Sequence, residues 1–422
     1  MNCRTLVLFV FMLGVLPCLA QTSNEPLPYQ EESPETYSVM REQAEMYRHF
    51  EPPAEDQSDP VMLQVANSFT RYARPTNCKL KKAVYGFHPY WMNEKEYLGY
   101  DYSLLTEFCY FGIELNPITG ALGSMRNWDK SNAVFLAQQA GCRLELCITN
   151  FGGWNNYKFF SNQKAWATFA NQLKKALDLR NADGVNLNFE DIYKRDRQKL
   201  TQFITYLYKY LQTQRPGTYI TMTIPAANPY NTYDLNAMNP YIEKFVIMGY
   251  DYHTSRSKHA GAIAPLNGEY SLQTSIKEYV ESGINPSMFI LALPYYGREW
   301  KTQSSHVPAP AKDKPQTMPY STIIQQYRTA KPRWHAASAS PYIIHYDKGE
   351  ISQCWYDSKF SLSKKYDLAL QQNLGGVGIW ALGYDKGCTE LWKLLEEKFV
   401  DCNVKEKPKQ TQNPWLEYYI NK

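Results

Sequence analysis

The sequence predicts an α/β fold, a (β/α)8 TIM barrel with a small α+β insertion between strands seven and eight and an acidic N-terminal arm. Three observations point there. Eight short apolar runs recur between residues 83 and 382. Several of the gaps between them carry apolar residues at helical spacing. Polar residues gather at the C-terminal ends of the runs, which is where barrels of this kind carry out chemistry. No glycine-rich phosphate loop follows the first run, which argues against a doubly wound dinucleotide fold.

The runs occupy residues 83–87, 108–115, 144–151, 184–189, 219–226, 245–252, 289–296 and 376–382. Within 164–179, Trp166, Phe169, Leu173, Ala176 and Leu177 share a helix face. Within 199–211, Leu200, Phe203, Ile204, Leu207 and Leu211 do the same. The gap before the eighth run is too long for one helix. Residues 301–355 hold Pro308, Pro310, Pro315 and Pro319 and the strand-like patch 341–346, and they read as a subdomain inserted on the active face. The barrel then comprises 81–300 and 356–402, with a C-terminal tail at 403–422.

The chain of 422 residues opens on a targeting signal at 1–20: Arg4, an apolar run from Thr5 to Leu16, and a small-residue cleavage site at Cys18-Leu19-Ala20. That run is short for a membrane span, and no later stretch approaches its length without charges. An exported, extracytoplasmic or extracellular chain is expected. Residues 21–80 form the arm, with helical stretches such as Val61 to Tyr72. Ten acids and two arginines give 21–59 a net charge of −8, against +11 for 60–422. The overall charge of +4 is too small for a nucleic-acid partner, whereas the basic body would suit an anionic cell-envelope polymer. Seven cysteines remain beyond the signal, an odd and scattered set that makes no dense disulfide framework. Cys109 and Cys147, inside strand-like runs, read as buried thiols, and Cys388 with Cys402 could close a C-terminal loop. No spacing reads as a metal site, and no cofactor is expected.

The fourth run, Asp183-Gly184-Val185-Asn186-Leu187-Asn188-Phe189-Glu190, carries the chemistry. Strand alternation sends Val185, Leu187 and Phe189 one way and Asn186, Asn188 and Glu190 the other. If the apolar set packs under the helices, two amides and a carboxyl enter the barrel, where an unpaired charge is costly. A hydrogen-bonded network that merely fixes the strand is the alternative, but Glu190 lies at the C-terminal end, where barrel chemistry occurs.

These residues resemble the D-x-x-D-x-D-x-E signature of glycoside hydrolase family 18, the chitinase-type barrels. Other segments resemble its motifs in order over roughly 83–400: Asn150 to Trp154 its S-x-G-G, Met248 to Asp251 its M-x-Y-D, and Ala264-Pro265-Leu266 its A-P-L. Tyr295 to Trp300 resembles F-Y-G-R-x-W, and Gly375 to Trp380 the last strand with its sugar-site tryptophan. The resemblance implies Glu190 as acid and then base, with Asn188 and Tyr250 holding the substrate's own acetamido nucleophile, the substrate-assisted route. It further implies glycan contacts from Asp183, Asn186, Phe87, Trp154, Met248, Asp251, Tyr296, Arg298 and Trp380. Asn186 and Asn188 depart from the signature, which has Asp at both. Trp91, Trp300, Trp334 and Trp355 could also line a cleft, Arg298 could hold a sugar hydroxyl or pair with a carboxylate, and His88 and His253 read as structural. The expected activity is a secreted glycosidase on β-linked N-acetylglucosamine in chitin, peptidoglycan or N-glycan cores. A glycan-binding protein of weak or no turnover, or an envelope scaffold, is the alternative.

Overall fold

The computed structural model describes residues 38–55, 78–228 and 230–402. The leader, the Val61 to Tyr72 stretch and the tail lie outside these residues. Eight parallel strands close a barrel: β1 (Ala83–Pro89), β2 (Glu107–Glu114), β3 (Arg143–Phe151), β4 (Gly184–Glu190), β5 (Tyr219–Ile224), β6 (Lys244–Met248), β7 (Phe289–Pro294) and β8 (Gly376–Trp380), with β8 pairing to both β7 and β1.

The helices form where the apolar spacing places them. Gln163–Leu179 starts at Asn162, whose side chain accepts from the Lys164 and Ala165 amides, and it buries Trp166, Phe169, Leu173 and Leu177. Arg197–Gln214 buries the expected Leu200, Phe203, Ile204, Leu207 and Leu211. Phe203 stacks on Phe189 with ring centroids 6.0 Å apart and meets Phe159 edge-on at 4.8 Å. The outward face of β4 is thus clamped by aromatics, which leaves its polar face turned inward.

That inward face is built in layers. Low in the barrel, the Tyr85 hydroxyl donates to Glu145 at 2.7 Å, and Thr221 donates to the same oxygen at 2.5 Å. Above them Asn186 donates to Thr221 at 2.9 Å and accepts from Thr223 at 3.1 Å and the Cys147 thiol at 3.2 Å. The polar column is satisfied mainly by neutral hydroxyls and amides, as a dry interior requires. Burial pushes Glu145 up to about 7.

The insertion is a five-stranded antiparallel sheet in the spatial order Gln316–Pro319, Tyr296–Thr302, Glu350–Trp355, Ser340–Asp347 and Arg333–His335. It begins at Tyr296, five residues before the expected boundary, because the chain leaves β7 in an extended run that pairs at once with 316–319. A disulfide joins Cys78 to Cys402, beside the antiparallel pairing of Lys79–Leu80 with Val400–Asp401. This corrects the expected Cys388–Cys402 loop: Cys402 meets the start of the barrel chain, and Cys388 is a free, half-buried thiol. Cys109 and Cys147 are buried free thiols.

Phe203 tests the clamp. Phe203→Ala leaves a cavity among Phe159, Phe169 and Phe189 and should cost about 3–5 kcal/mol in chemical denaturation. A loss under about 1 kcal/mol would show that β4 does not depend on this packing.

Candidate active site

β4 delivers its last inward side chains to the barrel mouth. Glu190 is 1% exposed and Asn188 fully buried. The strand end is held from both sides. Pairing with β3 continues to Glu190, whereas pairing with β5 stops at Leu187. On the β5 side the Tyr233 hydroxyl donates to the Phe189 carbonyl at 2.9 Å, and on the β3 side the Asn156 amide donates to the Glu190 carbonyl at 2.5 Å. Asn156 sits on the helix Gly153–Phe160, whose first residue packs against the Tyr193 ring: a Cβ there would lie 2.4 Å from the ring and push it aside. Asp191 and Asp251, each just beyond a barrel strand, take left-handed φ of 60°, which turns the chain sharply at the mouth.

Burial pushes the Glu190 carboxyl up to about 8, helped by the nearby charges of Asp191 and Asp251; the Ser38 and Asn188 side chains beside it only partly offset this. Neither Glu190 carboxyl oxygen, nor Asn188 Oδ1, nor the Tyr250 hydroxyl makes a full hydrogen bond among the described residues. Such a group is a protonated acid at neutral pH, suited to giving up its proton. A cavity of about 550 Å³ opens beside it, lined by Glu190, Met248, Tyr250, Tyr230, Tyr233 and Tyr270.

Asp251 is fully engaged. One oxygen accepts from the Tyr296 hydroxyl at 2.7 Å and from Arg298 at 3.2 Å, and the other accepts from the Val39 amide at 2.6 Å. Arg298, buried, pairs with Glu42 at 2.9 Å as well. The arginine is therefore a carboxylate partner, and its charge is compensated within the protein. Trp380 is buried, edge-on to Phe87 at 5.7 Å and Phe111 at 4.7 Å, and its Nε1 donates to Gln43 at 3.1 Å.

Of the residues expected at the site, the fold gathers Glu190, Asn188, Tyr250, Met248, Asp251, Tyr296, Arg298, Phe87 and Trp380 around the mouth. Two it does not bring there. Asp183 lies at the opposite end of β4, accepting from the Leu144 amide at 2.7 Å, and Asn186 sits in the mid-barrel column. Trp154 stays 42% exposed on the rim, stacked on Tyr157. Trp300 and Trp355 are core of the insertion, Trp334 packs on Phe360 outside the site, and Trp91 stacks under Tyr47. His88 and His253 bond to the Tyr100 hydroxyl and the Ala262 carbonyl.

Sequence reasoning missed the arm. Residues 38–55 lie across the mouth, and the helix Val39–Met46 touches Asp251, Asn188, Asp191, Arg298 and Trp380. Tyr230 and Tyr270 were also missed; their signal was an aromatic in each polar loop after β5 and β6.

Residues 67–385 match the family model described as Glycosyl hydrolases family 18. The chain is 25% identical over 257 residues to an uncharacterized glycosylase, YvbX, of Bacillus subtilis (strain 168), covering 59% of this chain and 71% of that protein. It is 22% identical over 225 residues to the cortical fragment-lytic enzyme of Bacillus anthracis, covering 51% and 49%. The match thus spans from about half to seven-tenths of these relatives' own length. A solved GH18 chitinase of Cycas revoluta in complex with (GlcNAc)3 superposes with a TM-score of 0.67 at 20% identity, over 75% of this chain and 99% of that one.

The buried Asp251–Arg298 pair generates a test. Asp251→Asn leaves the guanidinium with Glu42 alone and strips the Tyr296 hydroxyl of a charged acceptor. We expect a loss of about 3 kcal/mol in urea unfolding; an unchanged midpoint would mean that Glu42 alone compensates Arg298.

Proposed function

Because the chain belongs to glycosyl hydrolases family 18, a family of glycosidases, we propose that it cleaves glycans containing β-linked N-acetylglucosamine by substrate-assisted, retaining catalysis. The observation that carries this reading is the Glu190 carboxyl, buried, raised to about 8 and facing a cavity together with the Tyr250 hydroxyl. Glu190 protonates the glycosidic oxygen as the substrate's acetamido oxygen attacks the anomeric carbon, so the leaving sugar departs with the proton. Tyr250 donates to the acetamido oxygen, and Asn188 Oδ1 accepts from the acetamido N–H. The Glu190 carboxylate then takes a proton from water, which opens the oxazolinium ion and restores the acid. Trp380 stacks on the sugar ring.

Asn188 distinguishes this chain from its family's signature. A neutral amide orients the acetamido group but offsets none of the positive charge of the oxazolinium ion, so turnover falls below what a carboxylate there would support. That departure favours one second reading, a glycan-binding protein with little or no turnover. Export accords with the leader and with the Cys78–Cys402 disulfide. The basic body favours wall glycans over neutral chitin, which accords with a relative named for cortex lysis.

Digestion of chitin oligosaccharides, peptidoglycan strands and N-glycan cores, read by product mass, tests the activity. Glu190→Gln should lower turnover by about 10²–10⁴-fold with binding retained. In the natural chain kcat/KM should fall about tenfold per pH unit above pH about 8, because only the protonated acid donates. Binding without products from any glycan would favour the second reading, and turnover unchanged in Glu190→Gln would move the chemistry elsewhere.

A further inference from the structure

We propose that residues 38–55 are an autoinhibitory plug: this segment of the chain and a glycan compete for the same half of the cleft. The inference rests on reading the cleft as a glycan site. Its basis is the direction of the contacts. Over residues 38–43 each position addresses a different group at the mouth. Ser38 lines the cavity beside Glu190, and the Val39 amide donates to Asp251 at 2.6 Å. Asn188 donates to Met40 Sδ at 3.2 Å. Arg41 pairs with Asp191 at 2.8 Å, and Glu42 with Arg298 at 2.9 Å and Thr317 at 2.8 Å. Gln43 accepts from Trp380 at 3.1 Å.

Generic core packing does not account for this. A helix that merely roofs a barrel buries a broad apolar stripe, whereas Val39–Met46 buries Val39, Met40 and Ala44 and spends its other contacts on polar and charged groups of the mouth. Eight residues are too few to hold a helix in water unaided, so docking holds it. Beyond the helix, Tyr47 stacks on Trp91 at 4.7 Å and 11°, as a sugar ring would stack on a tryptophan. Glu51 pairs with Arg126 at 2.6 Å, and Glu55 accepts from the Asn132 amide at 2.5 Å. Glu42, Glu51 and Glu55 of the arm thus each find a cation or an amide of the body.

The plug covers one side. It seals Trp380, Trp91 and Arg298, while the cavity beside Tyr250, Tyr230 and Tyr270 stays open to the other side. A tethered segment competes at an effective concentration of about millimolar, so a weakly bound glycan would not displace it.

The test uses the full chain. Arg41→Glu with Glu42→Arg places like charges against Asp191 and Arg298 and should release the arm; Met46→Ala, at an exposed arm position, is the control. Triacetylchitotriose affinity and hydrolysis of a fluorogenic chitobioside are measured for each, with thermal melts to verify folding. We expect at least tenfold tighter binding and higher kcat/KM in the charge-swapped chain, no change in the control, and inhibition that raises KM alone when a peptide of residues 38–55 is added back. Equal binding and turnover in the natural and swapped chains overturns the plug and leaves the glycosidase reading intact. Turnover by none of them sinks the glycosidase reading, and the plug is then decided by trisaccharide binding: tighter in the swapped chain upholds it, equal or undetectable in both overturns it. If the swapped chain fails to fold, a specific protease site inserted between Glu55 and Cys78, cut after folding, gives the same comparison.

Discussion

A carboxyl group held away from water at the end of β4 sets the terms for everything around it. As an anion without a partner, Glu190 would carry a desolvation cost of several kcal/mol, so it keeps its proton near neutrality. It reaches that position because Val185, Leu187 and Phe189 must face the helices, and strand alternation leaves it nowhere else to go. The aromatic packing around Phe203 and the proton on Glu190 are therefore two ends of one constraint.

Charge at the mouth follows a different logic. Asp251 and Arg298 are buried against each other, with Glu42 a second partner for the guanidinium and the Tyr296 hydroxyl a second donor to the carboxyl. Only the arm supplies Glu42 and the Val39 amide, so the ion network of the barrel is completed from outside the barrel. The insertion serves the same network, since the strand Tyr296–Thr302 carries both Tyr296 and Arg298 inward, and Thr317 on the neighbouring strand bonds to Arg298 at 2.9 Å.

Much of this was legible in the sequence because it depends on local periodicity. Two-residue alternation in 184–190 and helical spacing in 199–211 each identify a buried face without knowledge of the partner. The same octapeptide shows the limit. Asp183 and Glu190 are both polar and belong to one short motif, yet seven strand steps of about 3.3 Å put them about 23 Å apart, at opposite ends of the barrel. Asn186, on the inward face, falls between them in a column whose partners, Thr221 and Thr223, come from another strand. Long-range pairings were not legible for the same reason: nothing near Cys402 singles out Cys78, and nothing in the composition of 38–46 names Asp251 or Trp380 as its neighbours.

The polar column carries a consequence for the proton balance of folding. Glu145 low in the barrel and Asp385 past β8 are both raised to about 7 by burial, and Glu190 to about 8. Each folded-state value lies above the unfolded one, so folding takes up protons near neutrality. The stability tied to these groups is fully present below about pH 4, and it is lost as pH rises through 7 and 8 and the buried carboxyls charge. A tenfold difference in proton affinity between the folded and unfolded chain is worth about 1.4 kcal/mol. These three groups therefore weaken the native state as pH rises into mild alkali, whereas His88, held down to about 3 by burial, weakens it as pH falls below about 6.5. Calorimetric unfolding in two buffers of different ionisation enthalpy would register the protons released, and equal enthalpies would contradict it. These buried carboxyls thus behave as a proton store, filled when the chain folds and emptied when it unfolds, while His88, kept neutral by the same burial, sets the opposing limit on the acid side.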